Sequence, residues 1–358
     1  MPEFEPIKKK GTKKRKQTIV QSLFPCRGDS GGEIVRKIVF LLAIVTLIVA
    51  TGIIIWFYFI RTDALNKDLE EILKLKGESS NDVISIKMNV TNEDGTTEEK
   101  EVTILEEYAA IYQDCPDMVG YVQIYPWIQY PVMQTTDNDY YLHHNRKKEP
   151  TDNGTIFADY EVPITSDTTP ANTILYGHNL ITRNMFEPLS YYRKGLNNQS
   201  GFDFFKENYL INFDTLYEKN QYLVFAVMLV NTTDDLGEVF NYQNYVSFNS
   251  KSEFNGFVAE CLDRSYYYTG IDIEYGDELL TLSTCDFSMF SNMRLVVVAR
   301  KVRNGESIFL DTDSFIDNSG LDSNGNVLRK MFDGYYQANK RQWAGRQWDT
   351  AWLKDFEG

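Results

Sequence analysis

The sequence predicts a mainly β protein: an eight-stranded, largely antiparallel barrel, closed or partly closed, preceded by one membrane-spanning helix. An uncharged apolar segment near the N terminus is long enough to cross a bilayer. Short apolar segments with strand character recur between residues 120 and 303. Clusters of Asn, Asp, Gly and Pro separate these segments where a parallel fold would have long helical crossovers, which favours an antiparallel barrel.

The apolar segment runs from Ile38 to Ile60 between Lys37 and Arg61. At about 1.5 Å per residue it reaches roughly 35 Å, enough for a hydrocarbon core of about 30 Å. The basic sequence KKKGTKKRK precedes it, so the positive-inside rule predicts a cytoplasmic N terminus and an extracytoplasmic domain. A cleaved signal peptide would have a shorter apolar region and a small-residue cleavage site, whereas a charged helical stalk follows here.

The 358 residues carry a formal charge of −15, which argues against nucleic-acid binding by the chain as a whole. Composition and pattern predict five segments. They are a basic cytoplasmic tail (1–36), a transmembrane helix (37–61), a stalk with a hairpin-like insert and an N-terminal helix (62–119), the barrel (120–303) and a C-terminal extension (304–358).

The elements follow from their local patterns. Residues 82–103 alternate around NEDG and predict a hairpin or an irregular insert. ILEEYAAIYQD predicts a short helix, and apolar residues at helical spacing between Ser250 and Tyr267 predict another before the seventh strand, with Cys261 in its apolar stripe. The tail from Val327 to Asp355 predicts an amphipathic helix with Phe332, Tyr336 and Trp343 on one face. The eight predicted strands are GYVQIY, IQYPVM, TIFADY, NTILYGHN, YLINFDTL, QYLVFAVMLV, ELLTLSTC and RLVVVARKV.

Three histidines limit the search for a catalytic base. His143 and His144 are adjacent in a polar loop, where they are typical of a solvated or loop-ordering pair, and no ligand-spaced Cys or carboxylate makes them a metal site. His178 ends an apolar strand, where a side chain can meet a ligand, and Gly177 before it permits close approach of neighbouring backbone.

Three cysteines follow the span, namely Cys115, Cys261 and Cys285. Because three is odd, at least one extracytoplasmic thiol stays unpaired within the chain, which makes each a candidate for chemistry. Cys285 ends one strand and Arg294 begins the next, so antiparallel pairing would place them at one rim about 5 Å apart. A planar, permanently charged donor there suits a developing oxyanion. A free thiol with a pKa of about 8.5 needs a base, and His178 is the histidine at a strand end.

TLSTC, the arginine nine residues after its cysteine and VVVARKV together resemble the active-site strands of the sortases, and ILYGHN is similar to their histidine motif. YPVMQTTDNDYYLHHN, GTIFADY and the helix before the cysteine strand resemble class B in particular, over about Gly120 to Val302. The insert at 82–103 and the continuation beyond ARKVRNGES depart from that pattern.

The resemblance implies a sortase-type barrel in which Cys285 is the nucleophile, His178 the acid and base, Arg294 the oxyanion and substrate-orienting residue and Ser283 a peptide contact. It implies a type II membrane-anchored cysteine transpeptidase without metal or organic cofactor. Such an enzyme cleaves a Thr-x bond in the sorting motif of an exported protein and transfers the acyl group to an amine of cell-wall peptidoglycan. Polymerisation of pilins through isopeptide bonds and peptidase release to water are the alternatives. Asp286 is left out because its side chain should point to the face opposite Cys285.

Overall fold

The computed structural model describes residues 22–56, 61–91, 97–166, 168 and 170–346. The chain divides into two compact units, residues 1–65 and 66–358. The helices are α1 (Gly31–Ile55), α2 (Arg61–Leu75), α3 (Glu106–Asp114), α4 (Tyr191–Lys194), α5 (Gly201–Glu207), α6 (Lys251–Arg264) and α7 (Asp333–Asn339).

Helix α1 contains most of the predicted span. Ser30 caps its first turn, because its side chain accepts a hydrogen bond from the Glu33 amide while the Glu33 carboxylate accepts one from the Ser30 amide. Among the described residues, α1 is the one helix long and apolar enough to cross a membrane. The predicted span's last four residues, 57–60, and most of the basic tail lie outside the described residues.

The strands are β1 (Val83–Thr91), β2 (Thr97–Leu105), β3 (Met118–Ile124), β4 (Ile128–Met133), β5 (Phe157–Ala158), β6 (Asn172–Tyr176), β7 (Leu210–Thr215), β8 (Gln221–Asn231), β9 (Tyr267–Tyr268), β10 (Leu279–Cys285), β11 (Met293–Lys301) and β12 (Ile316–Asp317). Eight of them form a closed barrel, as the sequence predicts, in the order β10-β11-β8-β7-β3-β4-β5-β6. Neighbours pair antiparallel except for β4 with β5 and β6 with β10, which are parallel. The β6–β10 pair closes the barrel.

The segment before the barrel contains the predicted hairpin, since β1 and β2 pair antiparallel along their full length. The loop that follows β4 attaches this segment to the barrel through Arg146, whose side chain is 1% exposed. Its guanidinium bonds to carboxylates of Asp68 and Glu71 in α2 and of Asp114 in α3. One buried cation with three carboxylate partners thus holds the two helices against the barrel.

Helix α6 lies before the seventh barrel strand, as predicted, and covers one outer face of the barrel. Its apolar stripe, Cys261 included, packs on Met228 and Val230 of β8 and on Val296 and Val298 of β11. Ser250 caps the helix by accepting a hydrogen bond from the Glu253 amide. The prediction that Cys261 is a core residue is confirmed.

The prediction of one long helix in the tail is wrong about the length of that helix. Helix α7 covers Asp333–Asn339 and ends at Lys340, which adopts a left-handed conformation with φ of 50°. The chain then folds back, and the Val327 amide donates to the Gln342 carbonyl while the Ala344 amide donates to the Val327 carbonyl. These pairings outweigh helix propensity in residues 341–346, and residues 347–358 lie outside the described part.

Candidate active site

Strands β10 and β11 bring Cys285 and Arg294 together. Their β-branched and leucine-rich sequences favour extended backbone on a buried sheet, and the antiparallel register pairs Cys285 directly with Arg294. Side chains of directly opposed residues share a face of the sheet. Val296, two residues after Arg294, packs in the α6 cluster, so Cys285 and Arg294 lie on that same outer face at its rim.

His178 reaches this rim because β6 pairs with β10 in parallel. The register sets Tyr176 beside Ser283, and two more residues along each strand lead to His178 and Cys285. The Gly177 amide donates to the Ser283 carbonyl at 3.2 Å. The sequence-predicted thiol, imidazole and guanidinium residues therefore occupy one end of three neighbouring strands.

Two side-chain hydrogen bonds lock the segment that carries His178 to the end of β10. Asn179 Nδ2 donates to the Cys285 carbonyl at 2.7 Å, and Thr284 Oγ1 donates to the Gly177 carbonyl at 2.7 Å. Neither residue was assigned a role from the sequence, although Asn179 ends the ILYGHN motif and Thr284 lies within TLSTC. Short polar side chains directly beside candidate catalytic residues were the available signal.

The imidazole of His178 is held by the loop that contains the other two histidines. Its Nε2 lies 2.8 Å from the Leu142 carbonyl oxygen. A carbonyl oxygen only accepts, so Nε2 carries a hydrogen and Nδ1 of the neutral ring is left to accept a proton. His144 orders this loop by stacking on Tyr140, with ring centroids 4.1 Å apart.

Glycines provide the space for this arrangement. A Cβ at Gly154 would lie 2.9 Å from Cδ2 of His178, and φ at Gly154 is +56°. A Cβ at Gly177 would lie 2.8 Å from ring carbons of Phe186. The group that approaches Gly177 is therefore this buried aromatic side chain, where the sequence predicted neighbouring backbone.

The guanidinium of Arg294 is not bonded to the thiol. Arg294 Nη1 donates to the Met293 carbonyl at 3.1 Å, and among the described residues no hydrogen bond joins Cys285 Sγ to Arg294 or His178. All three side chains are half-buried. In enzymes without bound substrate, hydrogen bonds between reacting groups are often long or poorly aligned.

Ser283 and Tyr242 form a buried pair that the sequence did not predict. Their hydroxyl oxygens are 2.7 Å apart, and Ser283 is 2% exposed. Burial raises the pKa of the Tyr242 phenol, although its bond to Ser283 and the charge of Arg294 act in the opposite direction. Tyr242 is supplied by the connection between β8 and α6, where the sequence offered no motif.

Asp286 is engaged away from the thiol. Its carboxylate lies 3.2 Å from Nε of Arg193 in α4 and accepts a bond from the Ser288 amide at 2.9 Å. The ion pair attaches the start of the β10–β11 loop to the protein body. Among the described residues, no group of His, Cys, Asp or Glu side chains is arranged to hold a metal ion.

The geometry agrees with comparisons to known proteins. A family model for the sortase domain matches residues 128–302. Sortase B of Listeria monocytogenes is 33% identical over 188 residues, covering 52% of this chain and 70% of the relative. Sortase B of Staphylococcus aureus is 29% identical over 189 residues, with the same two coverages. The crystal structure of Bacillus anthracis sortase B in complex with AAEK1 aligns with a TM-score of 0.51 and 27% identity, covering 68% of this chain and 100% of that one.

A closed eight-stranded barrel with this family match defines a cysteine transpeptidase of the sortase type, and the chain belongs to the sortase family. Each of the relatives and structures named above is a sortase B. The chain is therefore a class B member of the family.

Replacing Gly154 by Ala should impair peptide cleavage by displacing the His178 ring. The new Cβ would also lie 2.7 Å from the Tyr141 carbonyl oxygen, so the loop and the ring must both shift. We expect kcat/KM to fall by about tenfold or more. Gly270→Ala is the matched control because φ there is +68° with nothing within 4 Å of the added Cβ. Equal kinetics for the two variants would show that Gly154 does not position the ring.

Alkylation should distinguish the two half-buried thiols from the two buried ones. Burial raises the pKa of Cys115 to about 11 and that of Cys261 well above its ordinary value. Both thiols therefore stay protonated and inert at pH 8, where iodoacetamide should label half-buried Cys26 and Cys285 in the folded protein. Peptide mass spectrometry gives the sites, and Cys285→Ala should lose one label. Rapid labelling of Cys115 would contradict the buried assignment.

Proposed function

We propose that Cys285, His178 and Arg294 form the catalytic unit of a transpeptidase that cleaves a Thr-x bond in the sorting motif of exported proteins. The observation that carries this proposal is the strand register. It pairs Cys285 with Arg294 across β10 and β11 and leads His178 to the same rim through β6. If the three were unrelated core or surface residues, nothing would require them to lie at the same rim.

In the first half-reaction, Cys285 Sγ attacks the threonine carbonyl carbon. Nδ1 of His178 accepts the thiol proton, and a tetrahedral oxyanion forms. The C–N bond then breaks, His178 returns the proton to the leaving amine, and a thioester remains on Cys285. The hydrogen bond between Nε2 and the Leu142 carbonyl supports Nδ1 as the nitrogen that exchanges the proton.

Arg294 stabilises the oxyanion and orients the peptide. A guanidinium presents parallel donors in a planar fork that suits an oxyanion. Ser283 is proposed as a peptide contact. While paired with Tyr242, its hydroxyl oxygen can still take part in one further hydrogen bond.

In the second half-reaction an amine attacks the thioester carbonyl. A new amide bond forms as the C–S bond breaks, and the amine's proton passes through His178 to the departing thiolate, which restores the thiol of Cys285. We propose an amine of cell-wall peptidoglycan as the acceptor. A pilin lysine would give pilus polymerisation by the same chemistry, and water would give a cysteine peptidase.

The enzyme is proposed to be a single-pass type II membrane protein, anchored by residues 38–60 with its catalytic domain outside. Helix α1 has the required length and apolar composition, and the basic cluster at residues 8–16 favours a cytoplasmic N terminus. This placement gives the thiol access to exported substrates and to wall peptides.

Substitutions should distinguish a catalytic unit from coincidental neighbours. We expect Cys285→Ala and His178→Ala to abolish cleavage while the protein stays folded. Arg294→Lys keeps the charge but loses the planar fork, so kcat/KM should fall on the order of a hundredfold. The assay uses the full-length protein in detergent with a panel of Thr-containing sorting peptides, with and without an added amine.

Circular dichroism and thermal unfolding confirm folding of each variant in that series. Wild-type cleavage by folded His178→Ala or Arg294→Lys would remove that residue from the proposal. Acyl transfer to water that added amines never divert would make the protein a peptidase.

The topology predicts the outcome of proteolysis on intact protoplasts. External protease should degrade the domain that contains Cys285, because everything after residue 61 is proposed to lie outside. An antibody to the catalytic domain reports the loss, with a known cytoplasmic protein as the protection control. Full protection of the domain in intact cells, with digestion after lysis, would reverse the proposed orientation.

A further inference from the structure

The C-terminal extension lies beyond the residues that match the sortase domain, which end at 302, yet it is attached to the barrel at several points. Arg329 places its guanidinium over the Tyr266 ring, 3.8 Å from the centroid. The Lys330 amide donates to the Asp263 carbonyl at 2.7 Å, and Arg346 Nε bonds to the Asp263 carboxylate at 2.6 Å. The extension is therefore docked on the C-terminal end of α6.

Helix α7 also approaches the connection that carries Tyr242. A Cβ at Gly237 would lie 2.5 Å from Cβ of Asp333, and one at Gly334 would lie 3.0 Å from Cδ2 of Leu236. The first contact requires glycine at 237, and a side chain at 334 would force Leu236 to give way. The start of the β8–α6 connection is thus packed against the extension.

The same part of the extension contacts the loop between Cys285 and Arg294. Phe332, which is 4% exposed, meets the Phe290 ring edge to face with centroids 5.7 Å apart. The loop's neighbouring apolar side chains contribute little packing, since Phe287 is 65% and Met289 is 39% exposed. The Phe290–Phe332 pair is therefore the main apolar anchor of the loop tip, while Asp286 and Arg193 hold its base.

We infer that the C-terminal extension is a positioning element of the active site, acting through Phe332 on the loop that joins Cys285 to Arg294. The inference rests on the proposed function of those two residues. Cys285 and Arg294 lie at the ends of the two strands that this loop joins, so a change at the tip reaches both residues through the loop backbone. Displacement of reacting groups by about 1 Å is enough to cost large factors in rate.

The test is a double-mutant cycle in the full-length protein. Phe332→Ala and Phe290→Ala should each lower kcat/KM for peptide cleavage on the order of tenfold, mainly through kcat. Because the two substitutions remove the same ring contact, the double variant should be no slower than either single variant. Phe332→Leu, which keeps apolar volume, should recover part of the rate. The rate of Cys285 alkylation, which needs no peptide substrate, should rank these variants in the same order as kcat/KM does.

Phe315→Ala is the matched control. Phe315 is also a buried phenylalanine of the extension, but it packs on Phe205 and Tyr209. The Phe315→Ala substitution should lower the melting temperature and leave kcat and the alkylation rate unchanged. If it fails to fold, Phe309→Ala replaces it, since Phe309 is 83% exposed.

The outcomes separate the inference from the proposed function. Unchanged kinetics and alkylation in Phe332→Ala and Phe290→Ala, with Cys285→Ala inactive, would overturn the inference alone. Multiplicative losses in the double variant would also overturn it, because the two rings would then act independently. Cleavage by Cys285→Ala would overturn the proposed function, while the alkylation rates would still report on the contact.

Discussion

The parallel pairing of β6 with β10 is the constraint on which the rest of the structure depends. It closes the barrel, so neither strand remains an unpaired edge. It also joins segments 107 residues apart, since Thr284 bonds to the Gly177 carbonyl. The antiparallel neighbour β11 then adds Arg294 at the same rim. Loss of this register would move the His178 imidazole away from the Cys285 thiol.

The rim is ordered because its polar groups form hydrogen bonds with backbone groups and short side chains. The Leu142 carbonyl orients His178, and the Asn179 amide occupies the Cys285 carbonyl. Each bond is worth about 1 kcal/mol net, but an unpaired buried partner would cost more. These bonds hold the backbone around Cys285 and His178, two of the three residues proposed to be catalytic. A pre-ordered rim lowers the cost of orienting groups when peptide binds.

Two additions outside the family match brace the sortase barrel, one before it and one after it in the sequence. Arg146 attaches α2 and α3 at one side, using a nearly buried cation and three carboxylates. The C-terminal extension packs on α6 and on the loop after Cys285 at the other. Buried ion pairs add less net stability than packing, but they specify one arrangement. Both additions act on the segments that carry or hold the site.

Sequence alone determined the elements whose signals are local. Alternating and β-branched segments predicted all eight barrel strands, helical spacing predicted α6 with Cys261 in its core, and the uncharged segment predicted α1. The order of TLSTC, Arg294 and ILYGHN was sufficient to suggest which residues share a rim.

Tertiary structure decided the contacts that no local pattern encodes. The parallel sense of β6 and β10, the Ser283–Tyr242 pair and the carbonyl that holds His178 join residues 36 or more positions apart. Local propensity does not report such pairings, because their free energy arises from burial and from partners brought together by the rest of the fold. The tail shows the same limit. A helical pattern predicted one long helix, but pairing of Val327 with residues 342–344 ended it at Lys340.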